Sequence, residues 1–394
     1  MNLFSSPFGD FDLRRYPATT DPNLQAWDSA DRYVLAHIHE TIPNDVTGQT
    51  VICNDEFGGI TTALRGRQPL AWNDSALAHH AIGSNFERNQ LTQEWTPVRS
   101  IDALPIGDRP VSLVVVKIPK SLALLEDQLA RLAPVVTAET VIVGAAKVKH
   151  IHTSTLKLFE KYLGPTKTSL AKQKARRIFC SSETDGTTPS PWPQSFDYSG
   201  RPVLGLAGVF SHRKLDQGTR FLLDQMKQRS WFEGVSTVVD VGCGNGLLGL
   251  QAISQNEDIS CVFADRSYSA VESSRQNVGQ WFPGASQHRF VVSDSLSPIG
   301  GVSEAGCDQL ILDTSSVDLV LCNPPFHDNY VMGEETAYEM FSQSARLLGG
   351  KGRLVVVANR HLRYLPILNR LFSDVEVSAS NRKFVVLVAE RPNR

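Results

Sequence analysis

A hydrophobic run ending in Asp240-Val241 passes directly into Gly242-Cys243-Gly244-Asn245-Gly246 and then into an apolar stretch opened by Leu247. Glycines that follow a strand and open a helix let the main chain approach a nucleotide closely, since no side chain intervenes. The G-x-G-x-G spacing is not the G-x-G-x-x-G of a dinucleotide site. Asp240, read as lying at the mouth of the loop, would repel a pyrophosphate and suits a cationic or zwitterionic ligand such as S-adenosylmethionine. Asp265, 25 residues further at the end of the next apolar run, can accept both hydroxyls of a ribose. Asp294, after the run 290–292, can accept from an adenine amino group. Each acid alone reads equally well as a solvated loop aspartate, whereas three at successive strand ends read as a nucleoside site.

Asn323-Pro324-Pro325-Phe326 follows the apolar run 317–322. Two prolines fix φ and donate nothing, so the Asn323 side chain and the carbonyl after it are held as acceptors. Such a pair suits a planar amine. The lone pair of an amino group on a base or amide is delocalised, and two acceptors aligned on its N–H bonds favour pyramidalisation toward an electrophilic methyl. Phe326 can stack on the base. A proline turn with an incidental asparagine is the plain alternative.

These loops need a scaffold that brings successive strand ends to one edge. Downstream of residue 237 the pattern predicts strands at 238–241, 261–264, 290–292, 317–322, 354–358, 375–377 and 384–389. Helices are expected from 247 and over 270–281, 335–348 and 366–372. That is an open, mainly parallel α/β sheet whose last two strands, joined by residues 378–383, must run antiparallel. Residues 181–194 carry three prolines and no apolar period, which predicts units at 1–182 and 197–394 joined by a linker at 183–196.

The first half repeats the second. Thr50-Val51-Ile52-Cys53 with Gly58-Gly59 lies over Thr237-Val238-Val239-Asp240 with Asn245-Gly246 at an offset of 187. Val141 to Ala145 and Leu158-Phe159 lie over Leu354 to Ala358 and Leu371-Phe372 at an offset of 213. Chance likeness between two βα units is the alternative reading. On the duplication reading Cys53 stands in the place of Asp240, Asp55 and Phe57 replace glycines, and Lys117-Ile118-Pro119-Lys120 stands roughly where Asn323-Pro324-Pro325-Phe326 would. The first copy should therefore be closed to a cofactor.

The glycine loop, the strand-end acids and Asn323 to Phe326 resemble a class I S-adenosylmethionine-dependent methyltransferase acting on an amino nitrogen. The duplication adds to this, as do Gly208-Val209-Phe210-Ser211 and Leu215-Asp216-Gln217-Gly218. Together they resemble, over essentially the whole chain, the bacterial ribosomal RNA guanine-N2 methyltransferases, a family whose C kind acts on small-subunit RNA and whose G kind acts on large-subunit RNA. Ile151 to Leu156 and Val357 to Leu362 are nearest the G kind. The resemblance implies an α/β fold of two tandem Rossmann-like methyltransferase domains, each a mixed seven-stranded sheet, with the N-terminal copy degenerate. It implies S-adenosylmethionine held by Asp240, Gly242, Cys243, Gly244, Asp265 and Asp294. It also implies catalysis by Asn323, Pro324, Pro325 and Phe326, with 23S rRNA as partner and the N2 amine of a guanine as target. The N-P-P-F motif alone is shared with adenine-N6 and protein glutamine methyltransferases.

The 394 residues carry 39 Lys/Arg against 41 Asp/Glu, so any polyanion site must be local. Residues 147–177 hold nine Lys/Arg against Glu160 alone. A solvated face would explain part of such a run; its density favours phosphate contacts by Lys147, Lys149, Lys172, Lys174, Arg176 and Arg177. Six cysteines without a C-x-x-C pair argue against a zinc or disulfide framework. Apolar runs too short to span a bilayer predict a cytoplasmic protein without a membrane partner, expected to be a monomer. His327 and His361 are read as supporting or RNA-contacting residues, and Cys243 and Cys322 as small packing residues. The rival readings are a small-subunit rRNA guanine-N2 methyltransferase, a protein glutamine or DNA adenine methyltransferase, and a non-catalytic RNA-binding assembly factor.

Overall fold

The computed structural model describes residues 3–19, 21–43, 47–299, 313, 315–325 and 330–393. The chain divides into two compact units, Met1–Trp192 and Pro193–Arg394, and the division lies within the proline-rich stretch.

The first unit holds strands β1 (Gln49–Cys53), β2 (Leu70–Asn73), β3 (Thr96–Arg99), β4 (Val111–Lys117), β5 (Val141–Lys147), β6 (Thr166–Thr168) and β7 (Ala175–Cys180). The second holds β8 (Thr237–Val241), β9 (Ser260–Asp265), β10 (Arg289–Val292), β11 (Val317–Cys322), β12 (Leu348–Asn359), β13 (Phe372–Ser380) and β14 (Phe384–Pro392). Their orders are β3-β2-β1-β4-β5-β7-β6 and β10-β9-β8-β11-β12-β14-β13, one topology built twice. In each sheet the first five strands are parallel, and the last runs antiparallel to both its neighbours. Both sheets are mixed and flanked by helices, as the pattern predicts for the second unit and the family resemblance implies for both.

The helices repeat too: α1 (Ser29–Thr41), α2 (Gly59–Ala63), α3 (Ala76–Arg88), α4 (Leu122–Leu132) and α5 (Thr153–Tyr162), then α6 (Gln217–Gln228), α7 (Leu247–Gln255), α8 (Tyr268–Trp281), α9 (Tyr330–Leu347) and α10 (Tyr364–Leu371). Strands covered on both faces read as continuous apolar runs, and in the second unit Val239, Val241, Val320, Cys322, Val356 and Ala358 join Phe341 of α9 and Leu368 of α10 in one core. Strand β12 begins at Leu348, where the pattern predicts helix. Its pairing with β11 jumps from Leu348 to Arg353, so Gly349-Gly350, poor helix formers, turn the chain into the sheet.

Strand pairing corrects the internal alignment. Cys53 pairs with Trp72 and Val116, as Val241 pairs with Ala264 and Cys322. The next amides, of Asn54 and Gly242, donate to the carbonyls of Trp72 and Ala264 at 3.0 and 2.8 Å. Both take positive φ, 62° and 68°. Cys53 therefore matches Val241, and Ile52 matches Asp240, at a spacing of 188 rather than 187. The same spacing relates Asp28 to Asp216, Asp31 to Thr219 and Gly58 to Gly246, the last two being left-handed N-caps of α2 and α7. At the fifth strand Gly144, opposite Val116, matches Val356, opposite Cys322, a spacing of 212 rather than 213. A buried strand tolerates a one-residue slip in an apolar match because both faces are apolar, whereas the pairing does not.

One staple recurs in both units and escapes the sequence comparison. Asn85 of α3 exchanges bonds of 2.9 Å with the N–H and C=O of Arg14 and donates to Phe57 O at 2.9 Å. Asn277 of α8 does the same with Leu204, at 2.8 Å each way, and with Asn245 O at 2.9 Å. The loop after the first strand is thus tied to each unit's leading segment by one buried amide, and loss of such a fully satisfied amide leaves several main-chain groups unpaired.

Candidate active site at the carboxyl edge of the second sheet

Gly242, Gly244 and Gly246 all have positive φ, at 68°, 56° and 79°. A Cβ on Gly246 would lie 2.8 Å from Ser274 Oγ, whereas one on Gly244 would meet nothing within 4 Å. The loop is therefore packed at Gly246 and open beside Gly244. From the packed side Ser274 Oγ donates to Gly244 O at 3.1 Å, and Asn277 holds Asn245. Asp265 closes the loop's other flank: Oδ2 accepts Gly244 N–H at 3.1 Å and Oδ1 accepts Ser267 N–H at 3.0 Å. Burial raises its pKa against the pull of these two amides.

Asp240 does not lie at the mouth of the loop. It is a strand residue, 1% exposed, whose Oδ2 accepts Gly249 N–H from the first turn of α7 at 2.9 Å. Burial, with Asp265 adding to it, pushes its pKa up to about 8. Cys243 is buried, with its Sγ 3.3 Å from Ser274 Oγ. Burial pushes its thiol, and that of Cys322, well above the ordinary range, so neither is a nucleophile. Asp294 lies one strand further along the same edge, in a tight turn where its N–H and C=O bond Ser297 at 3.0 and 2.8 Å.

Asn323 leaves the end of β11, half-buried, with Pro324 buried behind it. Its Nδ2 donates to Thr219 Oγ1 on α6 at 2.9 Å. Its Oδ1 is buried and has no hydrogen-bond partner among the described residues. Leaving a buried carbonyl oxygen unpaired costs roughly 1–3 kcal/mol, and an incoming N–H relieves that cost. Phe326 and His327 lie outside the described residues, as does Cys307. Thr219 is not among the residues singled out from the sequence; its signal is the capping pattern Asp216-x-x-Thr219 that opens an amphipathic helix.

The equivalent place in the first unit is filled. Asp55 is buried and accepts from Gly58 N, Ile60 N, Thr61 N and Thr61 Oγ1, at 2.7 to 3.2 Å. Thr61 matches Gly249, so the same helix amide meets a carboxylate in both units, but in one the acid comes from inside the loop and in the other from the strand beneath it. Lys117, the match of Asn323, ion-pairs with Asp31, the match of Thr219, and with Asp28 at 3.3 Å. Burial favours the neutral amine but is outweighed by the two carboxylates, so the Lys117 pKa is raised. Burial also lifts Asp31 to about 6. Phe57 is buried under the Arg15 guanidinium, 4.3 Å from its ring centroid.

Of the basic residues, Lys147, Lys149, Lys172 and Lys174 are exposed, while Arg176 and Arg177 are half-buried. Arg177 lies 4.0 Å from the Tyr33 ring centroid and 5.3 Å from that of Phe179. It is held between two rings and offers less to a phosphate than its charge suggests. Lys147 is 3.8 Å from Asp28. Among the described residues no group of three His, Cys, Asp or Glu side chains could hold a metal, and no helix is long and apolar enough to cross a membrane.

Residues 1–184 match the RLMG N-terminal domain family and residues 200–388 the Methyltransferase small domain family. A protein of Streptomyces avermitilis named ribosomal RNA large subunit methyltransferase G is 42% identical over 393 residues, covering 98% of each chain. One of the same name from Aeromonas salmonicida is 40% identical over 383 residues, covering 96% of each. A T. thermophilus 16S rRNA N2 methyltransferase, solved with AdoMet and guanosine, superposes with a TM-score of 0.72 at 19% identity, covering 99% of this chain and 97% of that one.

Proposed function

The chain belongs to the ribosomal RNA large subunit methyltransferase G family, and from that premise we propose that it methylates the exocyclic N2 amine of a guanine in 23S rRNA. It is an S-adenosylmethionine-dependent rRNA methyltransferase. The observation that carries the amine assignment is the buried, unpartnered Oδ1 of Asn323 at the end of β11. When bound, S-adenosylmethionine supplies an electrophilic methyl on a sulfonium.

The residues present fit that cofactor: an open face at Gly244, a carboxylate at Asp265, and Asp294 at the next strand end. Asn323 Oδ1 accepts one N–H of the target amine and the carbonyl after it the other, which aligns the nitrogen lone pair. The amine proton leaves to water as the methyl arrives, so no general base is required of the chain. The guanine must be presented unpaired, because in a helix its N2 is engaged in pairing.

In this reading residues 197–394 are the catalytic unit, 183–196 the linker, and 1–182 a degenerate copy that grips RNA. Exposed Lys147, Lys149, Lys172 and Lys174 support that role more directly than Arg176 and Arg177. A cytoplasmic monomer without a membrane partner completes the proposal.

The test is methylation of 23S and 16S rRNA by the purified protein, followed by nucleoside mass spectrometry. N2-methylguanosine in 23S rRNA is expected. N2-methylguanosine in 16S rRNA alone would move the substrate to the small ribosomal particle, N6-methyladenosine would overturn the guanine assignment, and no product on either RNA would leave a binding factor.

A further inference from the structure

Resting on the reading of Asn323 as the residue that holds the amine, we infer that Thr219, backed by Asp216, is the positioning residue that decides which end of the Asn323 amide faces the substrate. A terminal amide has two ends of nearly equal shape and opposite polarity, and its last torsion is broad and roughly two-fold. Only the oxygen can accept from an amine; the NH2 end would confront it donor to donor. Some group must fix the choice before substrate arrives.

Thr219 Oγ1 is that group. Its hydroxyl can donate to Asp216 Oδ2 across a long contact of 3.4 Å, the same oxygen that takes Thr219 N–H at 2.9 Å as the N-cap of α6. A carboxylate can only accept, so the hydroxyl is left as an acceptor toward Asn323. The atom facing it at 2.9 Å must then be Nδ2, which turns Oδ1 to the unpartnered position. The polarity passes in one direction, from carboxylate to hydroxyl to amide to substrate. Thr219 is 9% exposed, which limits competition from water for the hydroxyl.

The degenerate unit supplies an independent comparison. The same two positions, on α1 and at the end of β4, carry Asp31 and Lys117, and the same N-cap carries Asp28. There the pair is ionic and closed on itself, with all its charge spent internally. The catalytic unit has a neutral pair at the same contact, and a neutral hydroxyl–amide contact is what leaves one acceptor over for a ligand.

The experiment is a double-mutant cycle on the full chain, read as single-turnover methyl transfer to 23S rRNA at saturating protein and cofactor. Thr219→Val keeps shape and the main-chain cap but removes the hydroxyl. Transfer should slow about five- to tenfold, as expected when one hydrogen bond that sets a population is lost. Thr219→Ser should recover most of the rate. With Asn323→Ala in place, Thr219→Val should slow transfer no further, because the amide it orients is gone. A merely structural threonine would slow both backgrounds equally, and that result overturns the inference, as does a wild-type rate for Thr219→Val when Asn323→Ala is slow. If Asn323→Ala itself transfers at the wild-type rate, it is the reading of Asn323 that fails.

Discussion

The two units share strand order, helix order and the buried asparagine staple, and they differ in where they keep their acids. In the second unit the carboxylate that meets the first turn of the helix sits beneath the glycine loop, at Asp240; in the first it sits within the loop, at Asp55. One arrangement leaves the loop open beside Gly244. The other fills it. A second exchange follows at the end of the fourth strand, where the second unit has Asn323 with an unspent oxygen and the first has Lys117 paired with two carboxylates. The difference teaches that the place open in one copy can be filled in the other by polar groups that pair within their own unit, Asp55 with helix amides and Lys117 with Asp31 and Asp28.

Breaking the two matched residues should break different things. Asn323→Ala deletes one preorganised acceptor, and single-turnover transfer should fall by about 10²–10³, the scale of losing one such electrostatic partner, with cofactor affinity unchanged. Lys117→Ala leaves Asp31 buried beside Asp28 without its cation. It should destabilise the chain by about 3–5 kcal/mol at pH 7, as followed by urea denaturation, while the protein that remains folded transfers methyl normally. The loss should shrink toward pH 5: Asp31 is raised to about 6 even beside Lys117, removal of the lysine raises it further, and a group raised above its unfolded value costs least at low pH, where the unfolded chain binds the proton too. If Lys117→Ala abolished transfer in folded protein, the first unit would have kept part of the chemistry.

Cofactor binding sharpens the same contrast. Calorimetric titration should give one S-adenosylmethionine per chain. Asp265→Ala should weaken binding by about 1.5–3 kcal/mol, the range of a hydrogen bond involving a charged group. Two sites per chain would show that Asp55 does not close the first loop.

Much of this was legible in the residues, and the exceptions have physical causes. The mainly parallel α/β sheet and its antiparallel last pair follow from alternating periods and a short final connection, whereas the order of the strands is set by the pairing alone. The glycine loop and Asn323 stand out because left-handed backbone and paired prolines are rare outside loops that need them. The one-residue slip between Cys53 and Asp240 was not legible, because β1 and β8 are buried on both faces and their apolar residues overlap in either register. Nor was the retreat of Asp240 under the loop: whether an acid beside a glycine faces ligand or helix depends on which amide it reaches, here Gly249. Thr219 was hidden for the same reason, since its partner lies 104 residues away in sequence.

The first unit's exposed lysines give a smaller effect with a distinct signature. Replacing Lys149, Lys172 and Lys174 by glutamine should flatten the log–log salt dependence of RNA binding by about two to three, at ~0.7–0.9 per phosphate contact, and leave cofactor affinity unchanged. Arg177→Gln should act instead on stability, because its guanidinium is held by Tyr33 and Phe179. An unaltered slope in the triple variant would mean that the run is only solvated.

The smallest predicted effect concerns a single proton. With a pKa of about 8, Asp240 is mostly neutral in the free protein at pH 7, held so by burial and by Asp265. A sulfonium and an ammonium entering beside the glycine loop favour its charged form, so binding should expel the proton. A group that loses a proton on binding makes affinity rise with pH while it is still protonated, by at most tenfold per unit, and level off above its free-state pKa. Affinity for S-adenosylmethionine should therefore improve from pH 6 to 8 and then flatten. The ammonium of the ligand titrates nearby, so the comparison that isolates Asp240 is with Asp240→Asn, which cannot ionise but still offers an acceptor to Gly249 N–H. Calorimetry at pH 7 in two buffers of different ionisation enthalpy should register proton release by the wild type and less of it by the variant. Equal release by both would mean that Asp240 keeps its proton throughout and serves only to cap α7. Its position beneath the loop, rather than in it as at Asp55, would then be a matter of leaving space and not of charge.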